Sequence, residues 1–196
     1  MEIYLALLLS LFIIEDSPWT EIEIDPSLSQ LQLDPDDWTY PWHVIKHEDY
    51  FENTFGEPIS EEDTAHLIKN SFCNLITVSN SNESSIRLPF AKANWTNDTL
   101  KINIYRFDAS SGIDCNLILY NGKFKAQFSN IYSPPIETQL IDYQYKILKL
   151  NQIPENGKPI KGKVDITLQE NVRWIYSEDD SIDTFNRRIK GTFVIE

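Results

Sequence analysis

The stretch Cys115-Asn-Leu-Ile-Leu-Tyr-Asn-Gly-Lys-Phe-Lys-Ala-Gln-Phe128 reads as two β-strands and the turn that joins them. Asn121-Gly122 is a pair that tolerates the two positive φ angles of a type I′ turn, whose twist matches that of the flanking strands. Beyond the turn, Phe124, Ala126 and Phe128 alternate with Lys123, Lys125 and Gln127, so one face is apolar and the other polar. A helix would need a period near 3.6, and the pattern here is two. The centre of the chain is therefore an antiparallel hairpin with one buried face.

The same period continues on both sides. Leu100, Ile102 and Ile104 alternate with Lys101, Asn103 and Tyr105, and Val164, Ile166 and Leu168 alternate with Lys163, Asp165 and Thr167. Strands are expected near 73–79, 85–90, 99–107, 115–120, 123–129, 138–150, 160–169 and 187–195, about eight in all. No helical pattern separates them, so the connections should be antiparallel. The expected fold is mainly β: an antiparallel β-sandwich, or an open barrel, over 72–196, preceded by a small helical and irregular N-terminal segment.

The first 71 residues have a different character. Thirteen acids against Lys46 alone give residues 1–60 a charge of −12, whereas seventeen acids and sixteen bases leave the remainder at −1. A field of this sign repels phosphate backbones, which disfavours nucleic acid and leaves basic protein surfaces or cations as partners. Met1–Ile14 is almost unbroken apolar sequence, too short to span a bilayer of roughly 30 Å as a helix. It has the length of a signal-peptide apolar region but lacks basic residues ahead of it. We read it as a degenerate export signal, with a buried N-terminal segment as the alternative, and divide the chain into 1–20, 21–71 and 72–196. The expected location is the cell envelope or outside the cell.

Residues 21–41 are Pro-punctuated and acidic, with short extended pieces at Glu21–Ile24 and Leu31–Leu33. Three tryptophans, Trp19, Trp38 and Trp42, indicate a strap laid over the domain rather than a free linker. Val44, Phe51 and Phe55 recur at helical spacing with Gly56 as a stop, which predicts a helix over 41–55. A second helix is expected from Ser60, with Glu61, Glu62 and Asp63 loading its first turn.

In the last third, Leu148-Lys-Leu-Asn-Gln-Ile-Pro-Glu-Asn-Gly157-Lys-Pro-Ile-Lys-Gly162-Lys-Val-Asp-Ile-Thr-Leu168, followed by Ile189-Lys-Gly-Thr-Phe-Val-Ile195, resembles the strand, turn, Gly-x-x-Ile-x-Gly-x-Val, strand pattern of immunoglobulin-like sandwich domains in bacterial envelope proteins. The resemblance covers some fifty residues. It implies a fold and a habit of binding or spacing, without an active site.

Candidate chemistry is sparse. His43 and His47 lie four apart, and on a helix they would stand roughly 6 Å apart on one face, close enough to share a metal ion; on a strand they would be about 13 Å apart. With His66 they form the candidate metal set, although Val44 stands where a zinc protease carries its glutamate general base. Gly157–Val164 matches a phosphate-binding loop except for its final hydroxyl residue, and an alternating strand follows where a helix is needed, so it reads as a hairpin connection. Cys73 and Cys115 fit either a disulfide or two buried thiols. Trp38, Tyr40 and Trp42 are candidates for a partner-binding ledge. No cofactor fingerprint and no nucleophile elbow occur. The expected function is a non-enzymatic binding or interaction protein with a protein partner and without a membrane span. The alternatives are an acidic inhibitor of the immunity type covering a basic partner, and a metal-dependent protein using His43, His47 and His66.

Overall fold

A computed structural model describes residues 17–32, 44–46, 51–53, 56–60, 72–79, 82–88, 90–107, 112–131, 136–175 and 181–195. It begins with a short edge segment, β1 (Thr20–Glu21) and β2 (Glu23–Ile24), and a 3₁₀ turn at Pro26–Gln30. A small antiparallel sheet follows, made of β3 (Val44–Lys46), β4 (Phe51–Asn53) and β5 (Pro58–Ile59). The rest is β6 (Phe72–Ser79), β7 (Asn82–Leu88), β8 (Phe90–Thr96), β9 (Thr99–Phe107), β10 (Gly112–Tyr120), β11 (Lys123–Ile131), β12 (Ile136–Leu150), β13 (Ile160–Trp174) and β14 (Asp183–Ile195). The protein is thus mainly β, and its sheets are antiparallel apart from the short β2–β12 pairing.

Where a helix was expected over 41–55, Val44–Lys46 is a strand paired with Phe51–Asn53. Val44 and Phe51 share helical spacing in sequence, but they stand on two antiparallel strands, and spacing counted from one strand to the next carries no information about a face. Among the described residues from 72 on there are nine strands rather than about eight, the additional one being β8. The helix expected from Ser60 falls on 61–71, outside the described residues.

The five-stranded sheet has the order β1-β11-β10-β9-β8 and the six-stranded sheet the order β2-β12-β13-β14-β6-β7. Sequence neighbours pair throughout β8–β11 and β12–β14, and β14 returns to pair with β6, so the path is an up-and-down meander whose last strand meets its first. The chain passes from the six-stranded to the five-stranded sheet between β7 and β8. The other seam is bridged by the edge segment: Thr20 and Glu21 pair with Phe124 and Lys123 of one sheet, Glu23 and Ile24 with Lys149 and Leu150 of the other.

Both sheets contribute to one apolar core. Leu100, Ile102, Ile104, Leu117, Phe124 and Phe128 enter it from one side, and Leu148, Ile166, Leu168, Ile189 and Phe193 from the other. A register shift between Tyr143 and Tyr145 changes which side chains of β12 face inward: Ile141 before it, Leu148 and Leu150 after it. Such a bulge bends a long strand and re-aims a side chain. Here it brings Lys146 to the seam, where its ammonium donates to Ser17 Oγ at 2.9 Å and to the Pro18 carbonyl. Among the described residues no helix is long and apolar enough to cross a membrane.

Candidate functional site

Three turns and the edge segment meet at one end of the paired sheets. Asn97-Asp98 joins β8 to β9, and Asn121-Gly122 joins β10 to β11, with φ of 52° at Asn97, 49° at Asn121 and 73° at Gly122. Asparagine and glycine are the residues that enter this left-handed region at least strain. The connection 151–159 joins β12 to β13; Asn151 closes it by donating its N–H to the Lys161 carbonyl at 2.9 Å and accepting the Lys161 N–H on Oδ1 at 3.0 Å.

The edge segment is fastened across this end. Ile22 donates its N–H to the Gly122 carbonyl at 2.9 Å and Asp25 to the Leu150 carbonyl at 2.8 Å. Glu21 pairs with Lys123 at 3.3 Å and Glu23 with Lys149 at 2.7 Å. Asp25 caps the 3₁₀ turn by accepting from Ser27 N–H and Oγ, and those bonds hold its carboxyl below the usual range. Lys161 donates to the carbonyls of Ser29 and Leu31, each at 2.8 Å. Upstream, Ser17 is buried and exchanges bonds with Ala126.

Between these elements lies a cleft of about 620 Å³. Its floor is the end of the core, Ile22, Trp95, Leu100 and Leu119; its rim is Ile24, Tyr120 and Ile153, with Glu21, Asp98 and Asn121 as polar groups. Ile24, Tyr120 and Ile153 are 47%, 51% and 72% exposed, three large apolar side chains left in water around one opening. Trp19 extends the rim, its ring 6.5 Å from that of Tyr120, and the Lys125 ammonium lies 5.6 Å from the Trp19 ring centre. A volume of this order with apolar walls and a few convergent polar groups suits a small ligand, and the mouth between strands is a common place for one. Exposed apolar groups gathered in one place, unlike scattered ones, mark a contact surface.

A second polar centre is buried within the fold. Glu170 is fully buried and accepts from Arg187 Nε and from Gln139 Nε2. The Arg187 guanidinium lies 4.9 Å from the Phe185 ring centre and 5.9 Å from that of Phe128. Its donors and acceptors face one another, so it locks β12, β13 and β14 together.

His43, His47 and His66, and the aromatic trio Trp38, Tyr40 and Trp42, lie outside the described residues. The helix that would have brought His43 and His47 together is absent at Val44–Lys46. Among the described residues no three histidine, cysteine or acidic side chains could hold a metal ion. Cys73 and Cys115 are free and fully buried in the core; burial pushes both thiols up, and Cys115 also feels Cys73 and Asp114. Gly157–Val164 is a hairpin connection running into β13. Gly157 takes a φ of 79°, and Gly162 lies under the Phe193 ring. The cleft went unseen in sequence, although Asn121-Gly122 marks one of its walls. Compared with protein-family models, curated proteins and solved structures, the chain matches none.

Proposed function

We propose that the chain is a non-enzymatic binding protein that holds a small, largely apolar ligand in the cleft at this mouth. The fold it rests on is read as an antiparallel sandwich, whose sheets are joined by the passage from β7 to β8 and by the edge segment. The observation that carries the reading is the set of exposed apolar residues, Ile24, Tyr120 and Ile153, around a cleft floored by the core. A location at the cell envelope is supported by the apolar Met1–Ile14 run, and the trio Trp38, Tyr40 and Trp42 is the proposed contact for a protein partner. An acidic cover for a basic partner is the weaker reading, because Glu21 and Glu23 already pair with Lys123 and Lys149 of the same chain.

The test is titration with the neutral fluorophore phenylnaphthylamine. Saturable one-to-one enhancement that is lost in Ile153→Asp and Tyr120→Ala is the expected result. Binding that ignores both substitutions, or none at all, would refute the assignment.

A further inference from the structure

We infer that the ligand of this cleft carries a cationic head, an alkyl- or arylammonium, seated at the rim beside Asp98; the inference rests on the reading that the cleft binds an apolar body. The charged groups that line the cleft are Glu21 and Asp98, both acidic, and no basic residue joins them. Glu21 is already met by Lys123. Asp98 forms no ion pair among the described residues and sits on a two-residue turn at the opening, where a head group would stay half in water.

The aromatic groups point to the same chemistry. The faces of tryptophan and tyrosine attract cations through their quadrupole, and Trp95 and Tyr120 both line the cleft. The neighbouring rim ring, Trp19, already holds a cation of the chain itself, Lys125. At longer range the net charge of −13 draws cations toward the protein and repels anions. A fatty carboxylate or a phosphate ester would have to place its charge against Asp98, and a neutral ligand would leave that charge without a partner.

Octylammonium, octanol and octanoate share one chain and differ only in the head, so they separate the two parts of the idea. Titrated against the full chain by calorimetry and amide NMR, octylammonium should bind roughly three- to fivefold tighter than octanol, the upper range for one charge pair with an exposed carboxylate. Octanoate should bind weakest. Added salt should reduce the preference, and Asp98→Asn should erase it while leaving octanol affinity within about twofold, since the apolar walls are unchanged. Equal binding of octylammonium and octanol, with shifts at Trp95, Tyr120 and Ile153, would overturn the cationic head and leave the cleft assignment standing. Absence of binding by all three would overturn both.

Discussion

Replacing Glu170 by glutamine should destabilise the protein by about 3 kcal/mol, at the lower end of the roughly 3–5 kcal/mol expected when one partner of a buried ion pair is removed. Arg187 Nε and Gln139 Nε2 both donate to the Glu170 carboxylate, which is fully buried, and the Arg187 side chain is only 6% exposed. Glutamine keeps the shape, and with its Oε1 toward Arg187 and the Gln139 amide turned to accept from its Nε2 the hydrogen bonds can re-form, but the buried guanidinium loses its counter-charge, and that uncompensated charge is the source of the cost. The rings of Phe185 and Phe128 beside the guanidinium soften the loss, which is why the lower end applies. Urea unfolding followed by tryptophan fluorescence and far-UV circular dichroism reads the effect. With an m-value of roughly 2–3 kcal/mol/M the midpoint should fall by about 1–1.5 M. The double variant Glu170→Leu with Arg187→Met should recover most of the loss, because an apolar pair of similar volume has no charge left to satisfy. A single-variant loss below about 1 kcal/mol, or a double variant less stable than the single, would show that Arg187 reaches water and that the pair does not lock the sheet.

Gly162→Ala should lower stability by about 1–3 kcal/mol, because a Cβ there would fall 2.3 Å from Cζ of the fully buried Phe193 ring. Gly157→Ala meets no atom within 4 Å but has a φ of 79°, so only backbone strain of about 1 kcal/mol is expected; thermal melts of the two variants check the order. Asp114 is raised above its ordinary 3.8, chiefly by burial, so its contribution to stability is present below 3.8 and lost as pH rises through the folded value. Asp114→Asn, which keeps an acceptor for Asn103, should therefore raise the urea midpoint at neutral pH, with the gain vanishing as the pH falls to that of acetate buffers; a gain independent of pH would contradict the account. Cys73 and Cys115 should be inert to a thiol reagent in the native protein and both react on unfolding, since burial suppresses the thiolate. Rapid reaction of either in the folded state would place it at the surface.

Much of the strand pattern was legible. The hairpin at Asn121-Gly122 occurs with Tyr120 opposite Lys123, and β9, β10, β13 and β14 cover the runs where alternation is strong. β8 escaped because its inward face is Ala91, Ala93 and Trp95 while Phe90 lies on the other, so the two faces differ little in polarity. Its sequence, with Asn94 and Asn97 in glycosylation sequons, looks like a polar loop. The bulge at Tyr143–Tyr145 escaped for a related reason: one run of mixed residues reads as a single strand whether or not its inward face changes partway.

The cleft could not have been found by any search for local patterns, because its walls come from separate parts of the chain. Glu21–Ile24 reaches it only by changing sheets in mid-segment; Trp95 and Leu100 reach it because one tight turn reverses the chain beside them, Leu119 and Tyr120 because another does, and Ile153 because a longer connection follows β12. In one dimension these are four unrelated fragments, several of them weakly apolar. What unites them is the closure of the meander, β14 onto β6 on one side and the edge segment across the other seam, which makes one end of the sheets a ring of turns around the end of the core. The sequence carried the individual signals, positive-φ residues at the turns and an isoleucine-rich strap, but their meeting is set by pairing partners more than a hundred residues apart, such as Glu23 and Lys149. Histidines and glycine loops are visible as motifs because their chemistry needs neighbours in sequence; a binding mouth needs neighbours only in space.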